Sequence, residues 1–389
     1  MSASYDNGWS SKCNTHAMIR VLSSATSGLK VVHINAQSLN KKIDEFRYIF
    51  QNSCVDIICV SETWFRNDIL SQAFNIPGYR LYRADREGHA GGVAIYVINH
   101  MKSRVIDKST QGNSIEYMFL ELESGSEKML IGNVYRPHRN VDIMPLISIL
   151  STITLEYENI AITGDFNSNI LHEQFLVDEM QSIGLTLVNS TTPTHFTASS
   201  NTLLDLIFRN RQLEYLLYEQ LSAPVFSKHD LVFCSLDVFN HSNPSDETYT
   251  YRDFKRIDID LMEYRLSTID WDRMYSFQTV DDRLSFLQDR ILDLYNELVP
   301  LRTRRKTTRE KPWFTNDIKR SMEERDIAYS RWKRFRLPIL HMQYRQLRNG
   351  VTEKIRQAKY RYFGRRFSES IDSGTGGLEL LQRDYWADR

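Results

Sequence analysis

The chain has 389 residues and a formal net charge of zero, with 41% hydrophobic and 25% charged residues, the composition of an ordinary soluble protein. No apolar run approaches the roughly 18 residues of a membrane helix, and the N-terminus lacks the apolar core of a signal peptide. The sequence therefore predicts a protein that is neither secreted nor membrane-spanning, in the nucleus or the cytoplasm. The spacing of the four cysteines fits neither a metal site nor a disulfide framework, which is typical of a reducing compartment.

The charges are unevenly distributed along the chain. Residues 301–367 hold 21 Lys and Arg against 6 Asp and Glu, a net charge of +15, whereas residues 1–300 hold 26 against 38, a net charge of −12. An acidic body with a basic segment is the pattern expected when one part performs chemistry and another contacts a polyanion.

Most strand signals lie in the first 239 residues. Residues 1–28 are rich in Ser, Asn and Thr, and predict a disordered N-terminus. Apolar runs bounded by turn residues then predict many strands, and amphipathic patterns predict a few helices. The strands are expected at 29–34, 55–60, 78–82, 93–98, 115–122, 129–134, around 159–162, 203–208 and 231–238, and the helices at 41–51, 142–157 and 171–183. This order favours two packed sheets with helices outside, a domain that spans residues 29–239.

The pattern changes after about residue 240. Residues 240–300 predict a partly helical connector with a helix at 281–298, and residues 371–389 predict a flexible tail. Residues 301–370 predict a basic helical region with helices at 315–336 and 339–367, separated by Pro338. Aromatic residues interleave with its cations, which suits either base stacking or the seam between two helices.

One stretch of the first domain concentrates chemical groups at a strand end. The apolar run Ile160-Ala161-Ile162 is followed by Thr163-Gly164-Asp165-Phe166-Asn167. In an extended segment, residues two apart point to the same side, so Asp165 and Asn167 would both face a cleft at the end of the strand. A carboxylate there can take a proton or hold a metal, and a carboxamide can fix a substrate oxygen. An Asx turn is the plainer explanation of the same residues.

Other strands end in polar residues of the same kind, and these would converge on one cleft. The set comprises Asn35, Glu62, Tyr135, Asp165, Asn167, Asp205 and His229. It suits metal-assisted hydrolysis of a phosphodiester. Carboxylate oxygen from Glu62 would bind a hard divalent cation, Asp165 would activate water, and nearby donors would stabilise the charged phosphate.

Each member of this set also has an ordinary structural explanation when taken singly. Glu62 is compatible with a helix N-terminus, and His229 with a surface loop. Tyr135 and Asn35 are compatible with packed strand ends. Asp205 lies inside an apolar strand, where an unpaired carboxylate costs several kcal/mol, so the sequence predicts a partner for it, and His229 is one option.

Taken together and in order, the motifs resemble the endonuclease/exonuclease/phosphatase superfamily, and more narrowly the endonuclease domain of non-LTR, LINE-type retrotransposons of the Jockey kind. The resemblance covers residues 29–239. Its motifs are Ile34-Asn35-Ala36-Gln37-Ser38-Leu39, Ser61-Glu62-Thr63-Trp64, Gly91-Gly92-Val93-Ala94, Val134-Tyr135-Arg136-Pro137, Gly164-Asp165-Phe166-Asn167, Pro193-Thr194-His195-Phe196, Leu204-Asp205-Leu206-Ile207 and Ser227-Lys228-His229. Lys311-Pro312-Trp313-Phe314-Thr315 resembles the connector that precedes reverse transcriptase in such polyproteins.

The resemblance implies a four-layered α/β sandwich of two mixed sheets flanked by helices, followed by the mainly helical C-terminal region. It implies Mg²⁺-dependent nicking of DNA, with Mn²⁺ as a substitute, that leaves a 3′-hydroxyl to prime reverse transcription. Element RNA is a further partner suited to residues 301–367. The reverse transcriptase normally continuous with such a domain is expected to be absent, because the sequence has no Tyr-x-Asp-Asp motif.

Roles follow from the resemblance residue by residue. Glu62 matches the metal ligand, with Asn35 assisting it, and Asp165 matches the residue that activates water. Asn167 and Tyr135 match positions that hold the scissile phosphate. His229 is similar to the phosphate-binding histidine and Asp205 to its carboxylate partner. The residues assigned to substrate binding are Thr194, Thr202, Lys228 and Arg136, the two threonines as DNA-facing positions.

The chain departs from the family at one position of the last motif. The family usually has Ser-Asp-His, whereas this chain has Ser227-Lys228-His229. The cation is expected to lower the pKa of His229 and to weaken metal binding, with Asp230 as a partial substitute and DNA phosphate as another contact for Lys228. Two other functions stay open at this point, a nucleic-acid-binding remnant with weakened catalysis and another phosphoesterase of the same superfamily.

Overall fold

The computed structural model describes residues 15–25, 27–88, 90–239, 248–252, 254, 257–305 and 311–372. The chain forms two compact units, one of residues 1–242 with 310–389 and the other of residues 243–309. The predictions of disorder at residues 1–14 and of a flexible tail from residue 373 fall outside the described residues.

The described residues form eight α-helices and sixteen strands. The helices are α1 (Thr15–Leu22), α2 (Ile43–Gln51), α3 (Met144–Ile153), α4 (Phe175–Ser182), α5 (Ile259–Ser267), α6 (Val280–Leu298), α7 (Asn316–Phe335) and α8 (Pro338–Asp372). The strands are β1 (Leu29–Asn35), β2 (Ile57–Ser61), β3 (Tyr79–Ala84), β4 (Val93–Ile98), β5 (Lys102–Lys108), β6 (Glu116–Ser124), β7 (Glu127–Tyr135), β8 (Asn159–Asp165), β9 (Leu185–Leu187), β10 (His195–Phe196), β11 (Asn201–Thr202), β12 (Asp205–Asn210), β13 (Tyr215–Leu221), β14 (Leu231–Leu236), β15 (Thr248–Tyr251) and β16 (Arg302–Arg305).

Two six-stranded sheets form the centre of the first unit. The first sheet has the order β13-β14-β1-β2-β4-β3 and the second has the order β5-β6-β7-β8-β12-β9. Both are mixed, because β1 pairs with β2 and β7 with β8 in parallel while the other pairs are antiparallel. Strands β10 and β11 pair with each other in a separate short hairpin.

Three apolar clusters separate the layers. Between the sheets lie side chains such as Cys59, Ile131 and Val232. The outer face of the first sheet packs on α1 and α2 through residues such as Phe46, and the outer face of the second packs on α3 and α4 through residues such as Ile162. This burial on both faces explains the continuous apolar runs of the central strands. The predicted fold class, two packed mixed sheets flanked by helices and followed by a mainly helical C-terminal region, is confirmed.

The basic C-terminal helices α7 and α8 fall within the first unit. Arg325 of α7 is fully buried, and its guanidinium contacts the carboxylates of Asp326 at 2.8 Å and Glu45 of α2 at 2.5 Å. Lys359 of α8 pairs with Asp44 at 3.0 Å. The acidic body therefore supplies partners for part of the basic charge.

Helix α1 corrects the prediction that residues 1–28 are disordered. Met18 and Leu22 are buried in the cluster against the first sheet. The backbone N–H and the hydroxyl of Thr15 both donate to Asp326, at 2.9 and 2.8 Å. The polar composition of this segment gave no sign of a helix, because the stability of α1 comes from these tertiary contacts.

The second unit is built from α5, α6 and the antiparallel pair β15–β16. Thr279 caps α6 by accepting the backbone N–H of Asp282. The guanidinium of Arg252 donates to the carbonyls of Tyr295 and Val299 at the end of that helix, at 2.8 and 2.7 Å. The sequence predicted α6 within its connector, but not α5 or the strand pair.

Candidate active site

A row of four polar residues crosses the second sheet at one end of its strands. Strand pairing places Glu116 of β6 beside Tyr135 of β7, Tyr135 beside Asp165 of β8, and Asp165 beside Asp205 of β12. Residues paired in this way project from the same face of a sheet. We call these four residues the edge row. All four are buried.

The first sheet contributes Asn35, the last residue of β1, and Glu62, which follows β2. The amide nitrogen of Asn35 donates to Glu62 Oε1 at 2.8 Å and to Asp165 Oδ2 at 2.7 Å. One carboxamide therefore connects a carboxylate of the first sheet to the edge row on the second. Its oxygen accepts the backbone N–H of Gln37 at 3.0 Å, which fixes the orientation of the amide.

The turn after β2, which carries Glu62, is bonded through its backbone to a glycine pair. Glu62 and Trp64 both have positive φ angles, of 51° and 54°, which is strained backbone for non-glycine residues. The backbone N–H groups of Thr63 and Trp64 donate to the carbonyls of Gly92 and Gly91. A Cβ atom on Gly92 would lie 2.6 Å from the Thr63 hydroxyl oxygen, so this close approach requires glycine. The Gly91-Gly92 motif thus supports the predicted metal ligand.

Asp165 is placed to act as a base. Its Oδ1 accepts the backbone N–H of Asn167 at 3.0 Å, and its Oδ2 accepts the amide of Asn35. Burial, and then the neighbouring Asp205 carboxylate, raises the pKa of Asp165 to about 7. A carboxylate with a pKa near neutrality is a stronger base than an exposed one and is still available in its ionised form.

His229 and Asp205 form a buried ion pair. The two side chains meet at 2.8 Å, between Nδ1 and Oδ2. Burial opposes charge on His229, yet the Asp205 carboxylate raises the pKa of this imidazole to about 9. Because Nδ1 is held by Asp205, Nε2 is the nitrogen that can donate to a substrate. The partner predicted for Asp205 is His229, as the sequence suggested.

Two more histidines flank this pair and are neutral. Burial lowers the pKa of His33 to about 4, and its Nε2 lies 3.1 Å from the Ser61 hydroxyl while its Nδ1 lies 3.6 Å from Asp205. Burial also lowers the pKa of His195 to about 4, and its ring lies 4.4 Å from that of His229. The positive charge of this histidine cluster is therefore concentrated on His229.

The hydroxyl groups of Ser227 and Thr194 hold the backbone that carries the active-site side chains. The Ser227 hydroxyl donates to the Asn35 carbonyl at 2.5 Å and accepts the backbone N–H of His229 at 3.0 Å. The hydroxyl oxygen of Thr194 accepts the backbone N–H groups of Leu204 and Asp205. Thr194 is fully buried, which corrects its prediction as a DNA-facing residue.

Arg136 also differs from its predicted role. Its guanidinium donates to the carbonyl of Val141 at 2.8 Å and to that of Arg139, and the residue is buried. It stabilises the loop after β7 instead of facing a substrate. Asn167, with a φ of 47°, lies in the segment after β8 and donates to the Arg136 carbonyl at 2.7 Å. Thr202 is half-buried, and its hydroxyl oxygen lies 3.3 Å from His195 Nδ1.

Lys228 is exposed beside the site. We expected its cation to lower the pKa of His229, but the pairing of His229 with Asp205 produces a net rise. Asp230, expected as a partial substitute for the missing family carboxylate, is engaged elsewhere. Its carboxylate pairs with Lys333 of α7 at 2.7 Å.

The site has donors that suit a hard divalent cation. The carboxylates of Glu62 and Asp165 both accept from the amide of Asn35. Burial raises the pKa of Glu116, and Glu62 adds to this rise. Asp165, Asp205 and His229 also present ligand atoms within 4.8 Å of one another. The ion pair of Asp205 and His229 would have to break to bind a metal there, whereas oxygen donors around Glu62 match the preference of Mg²⁺ and Mn²⁺.

Some residues of the site escaped the sequence reasoning. Glu116 begins a predicted strand as an ordinary polar residue, and only its pairing with Tyr135 places it in the edge row. His33 lies inside an apolar run and His195 beside a turn. Lys42 donates to the carbonyls of Ala36, Gln37 and Phe226 beneath the loop after β1, and burial lowers its pKa to about 8. No local motif marks Glu116, His33 or Lys42, and His195 lies in the motif Pro193-Thr194-His195-Phe196 without a role assigned to it.

The sequence matches no family model and none of the curated proteins. Solved structures similar to this chain include the endonuclease domain of TRAS1, a telomere-specific non-LTR retrotransposon, with 13% identity over 54% of this chain and 98% of that one, at a TM-score of 0.42. The human Nocturnin catalytic domain has 15% identity over 55% and 94%, at a TM-score of 0.43. An AP endonuclease from Archaeoglobus fulgidus has 14% identity over 54% and 100%, at a TM-score of 0.43.

Among the helices that the structure describes, none combines the length and the apolar character needed to cross a membrane.

Proposed function

We propose that the chain is a divalent-metal-dependent DNA endonuclease of a non-LTR retrotransposon, which nicks one strand and leaves a 3′-hydroxyl. The observation that carries this proposal is the junction made by Asn35, which connects Glu62 on one sheet to Asp165 on the other. It places a prospective metal ligand next to a prospective base, with the imidazolium of His229 nearby. The ordered sequence motifs support the retrotransposon class.

Each group has a distinct task in this proposal. Asp165 takes the proton of the attacking water, because burial has raised its pKa to about 7. His229, held in its charged form by Asp205, donates from Nε2 to a phosphate oxygen that gains charge during the reaction. A divalent metal held by the Glu62 carboxylate, with Asn35 assisting by orienting that carboxylate, would supply further stabilisation of phosphate charge.

The presence of both the acid and the base favours catalysis over a remnant that only binds nucleic acid. Asp165 and His229 keep opposite protonation preferences within one cleft, as a paired base and acid require. Element RNA is a second proposed partner for exposed cations of α7 and α8 such as Arg331, Arg334 and Arg345. Several other cations of these helices are paired with protein carboxylates, so fewer cations remain to bind the phosphates of RNA.

The experiment is a nicking assay on supercoiled plasmid with Mg²⁺, Mn²⁺ or EDTA. We expect nicked circles with either metal, and polymerase extension from the nick if it carries a 3′-hydroxyl. Asp165→Asn should abolish nicking. Asp56→Asn is the matched control, because Asp56 is a buried carboxylate at the opposite end of β2 that accepts the backbone N–H of Lys30. Equal nicking by Asp165→Asn and its parent would overturn the proposal, and turnover of small phosphomonoesters alone would indicate a phosphatase.

A further inference from the structure

The C-terminal end of α7 lies against the segments that carry the active-site histidines. Lys333 Nζ lies 2.7 and 2.8 Å from the two carboxylate oxygens of Asp230, and 3.0 Å from the Ser222 hydroxyl. The same ammonium lies 3.7 Å from the centre of the Phe196 ring. Both charged side chains are largely buried, with 16% of Lys333 and 4% of Asp230 exposed. An ion pair that is shielded in this way holds its geometry more firmly than a surface pair.

These contacts reach His229 through short backbone connections. Asp230 follows His229 directly, and its backbone N–H donates to the Thr194 carbonyl at 2.7 Å. The backbone N–H of Phe196 donates to the Lys228 carbonyl at 3.0 Å, and His195 forms a bridge with His229. The segment around His229 and the hairpin β10–β11 are therefore joined, and Lys333 contacts both of them.

Arg336, the residue that follows α7, contacts the far end of the same hairpin. Its guanidinium donates to the Thr197 carbonyl and to Asn201 Oδ1, both at 2.8 Å. It also lies 5.4 Å from the centre of the Phe196 ring. The end of α7 thus binds the hairpin at two places, although Arg336 and Thr197 are 139 positions apart in the chain.

We propose that Lys333 is a positioning residue for His229, so that helix α7 completes the active site from outside the sandwich. The inference rests on the proposed function, because its catalytic test measures the nicking of DNA. Lys333 acts through Asp230 and Phe196, which fix the backbone on either side of the imidazole. Loss of the ammonium would free this backbone, and the donor of His229 would lose its alignment with the phosphate.

The test uses the full chain of 389 residues and the plasmid-nicking assay with Mg²⁺. We expect Lys333→Met to lower kcat by about tenfold with KM within about twofold, because misalignment affects the reacting geometry more than binding. Lys333→Arg should recover part of this loss, since it restores a cation. Lys354→Met is the matched control, because Lys354 pairs with Asp317 and Ser321 at the other end of α7.

A double-mutant cycle with Asp230→Asn separates positioning from general destabilisation. If Lys333 acts through Asp230, the double variant should lose no more activity than Lys333→Met alone. The double variant also leaves no buried charge unpaired, so it keeps the test valid if Lys333→Met fails to fold. The second readout is the imidazole NMR spectrum of His229, whose ring resonances should shift in the double variant and not in Lys354→Met.

Parental kcat together with an unchanged His229 spectrum in the double variant would overturn the inference. An equal loss of kcat in Lys354→Met would also overturn it, because the effect would then be a general one. Failure of the proposed function has a different signature, namely no nicking by the parent with any divalent metal. The His229 spectrum decides the positioning role in that case as well.

Discussion

The Asp205→Asn variant tests the central electrostatic claim about the site. In the parent, Asp205 raises the pKa of His229 from 6.5 to about 9 against the opposing effect of burial. A shift of this size corresponds to about 3 kcal/mol in favour of the charged imidazole. The asparagine keeps the shape of the side chain but removes the charge, so burial is then opposed only by the smaller effects of Asp165 and Glu62, and the pKa of His229 falls.

The consequence for nicking follows from the sign of this shift. His229 is charged below its pKa, so in the parent it keeps its proton up to about pH 9 and nicking should decline only above that. In Asp205→Asn the charged form is lost at a lower pH than in the parent. At pH 7.5 the variant lacks one charge-assisted hydrogen bond to the transition state, worth about 1.5–3 kcal/mol. It also lacks part of the positive charge of the His229 imidazolium. We expect a rate loss of roughly 10²-fold.

The assay is single-turnover nicking of plasmid from pH 5.5 to 9.5 with saturating protein. The alkaline limb should move to lower pH in Asp205→Asn, so that the loss is smallest at the acid end. Asp56→Asn, which removes a buried carboxylate without contact to His229, should keep the parental profile. A rate for Asp205→Asn within about threefold of the parent at pH 7.5, with the same alkaline limb, would refute the reasoning.

The other predictions concern the metal, the exposed cation and the buried cation of α7. Glu62→Ala should reduce Mg²⁺-dependent nicking by roughly 10²-fold or more in the plasmid assay, and parental nicking in EDTA would contradict the assigned metal role. Lys228→Asp should leave kcat within about twofold, because Asp205 already keeps His229 charged, while DNA binding measured by fluorescence anisotropy should weaken and its salt slope fall by about one. Arg325→Met should lower the free energy of unfolding in urea by about 3–5 kcal/mol, because it leaves buried carboxylates without their cation, and a loss below about 1 kcal/mol would contradict this.

The sequence predicted the groups at the strand ends because their signal is local. An apolar run that ends in a polar residue marks both a strand and the side chain at its end, and the structure brings Asn35, Glu62, Asp165 and His229 together. The strand β5 was not predicted, because it is an exposed edge strand with the polar sequence Lys-Ser-Arg-Val-Ile-Asp-Lys. An edge strand buries little, so its apolar alternation is weak.

The contacts of the basic helices had no local signal at all. Arg325 and Glu45 are 280 positions apart in the chain, and a run of cations has the same composition whether it meets a polyanion or protein carboxylates. The roles predicted for Arg136 and Thr194 were wrong for a related reason. A residue type shows what a side chain can bind, but not which backbone groups have already engaged it.

The edge row also makes the active site depend on the register of the strands in the second sheet. Glu116, Tyr135, Asp165 and Asp205 come from four neighbouring strands, and each is opposite the next only in the native register. A shift of one residue in β8 would turn Asp165 to the other face of the sheet while leaving the amino-acid composition of the core almost unchanged. A single-residue insertion within that strand would therefore act as an active-site mutation even though every catalytic residue type is retained.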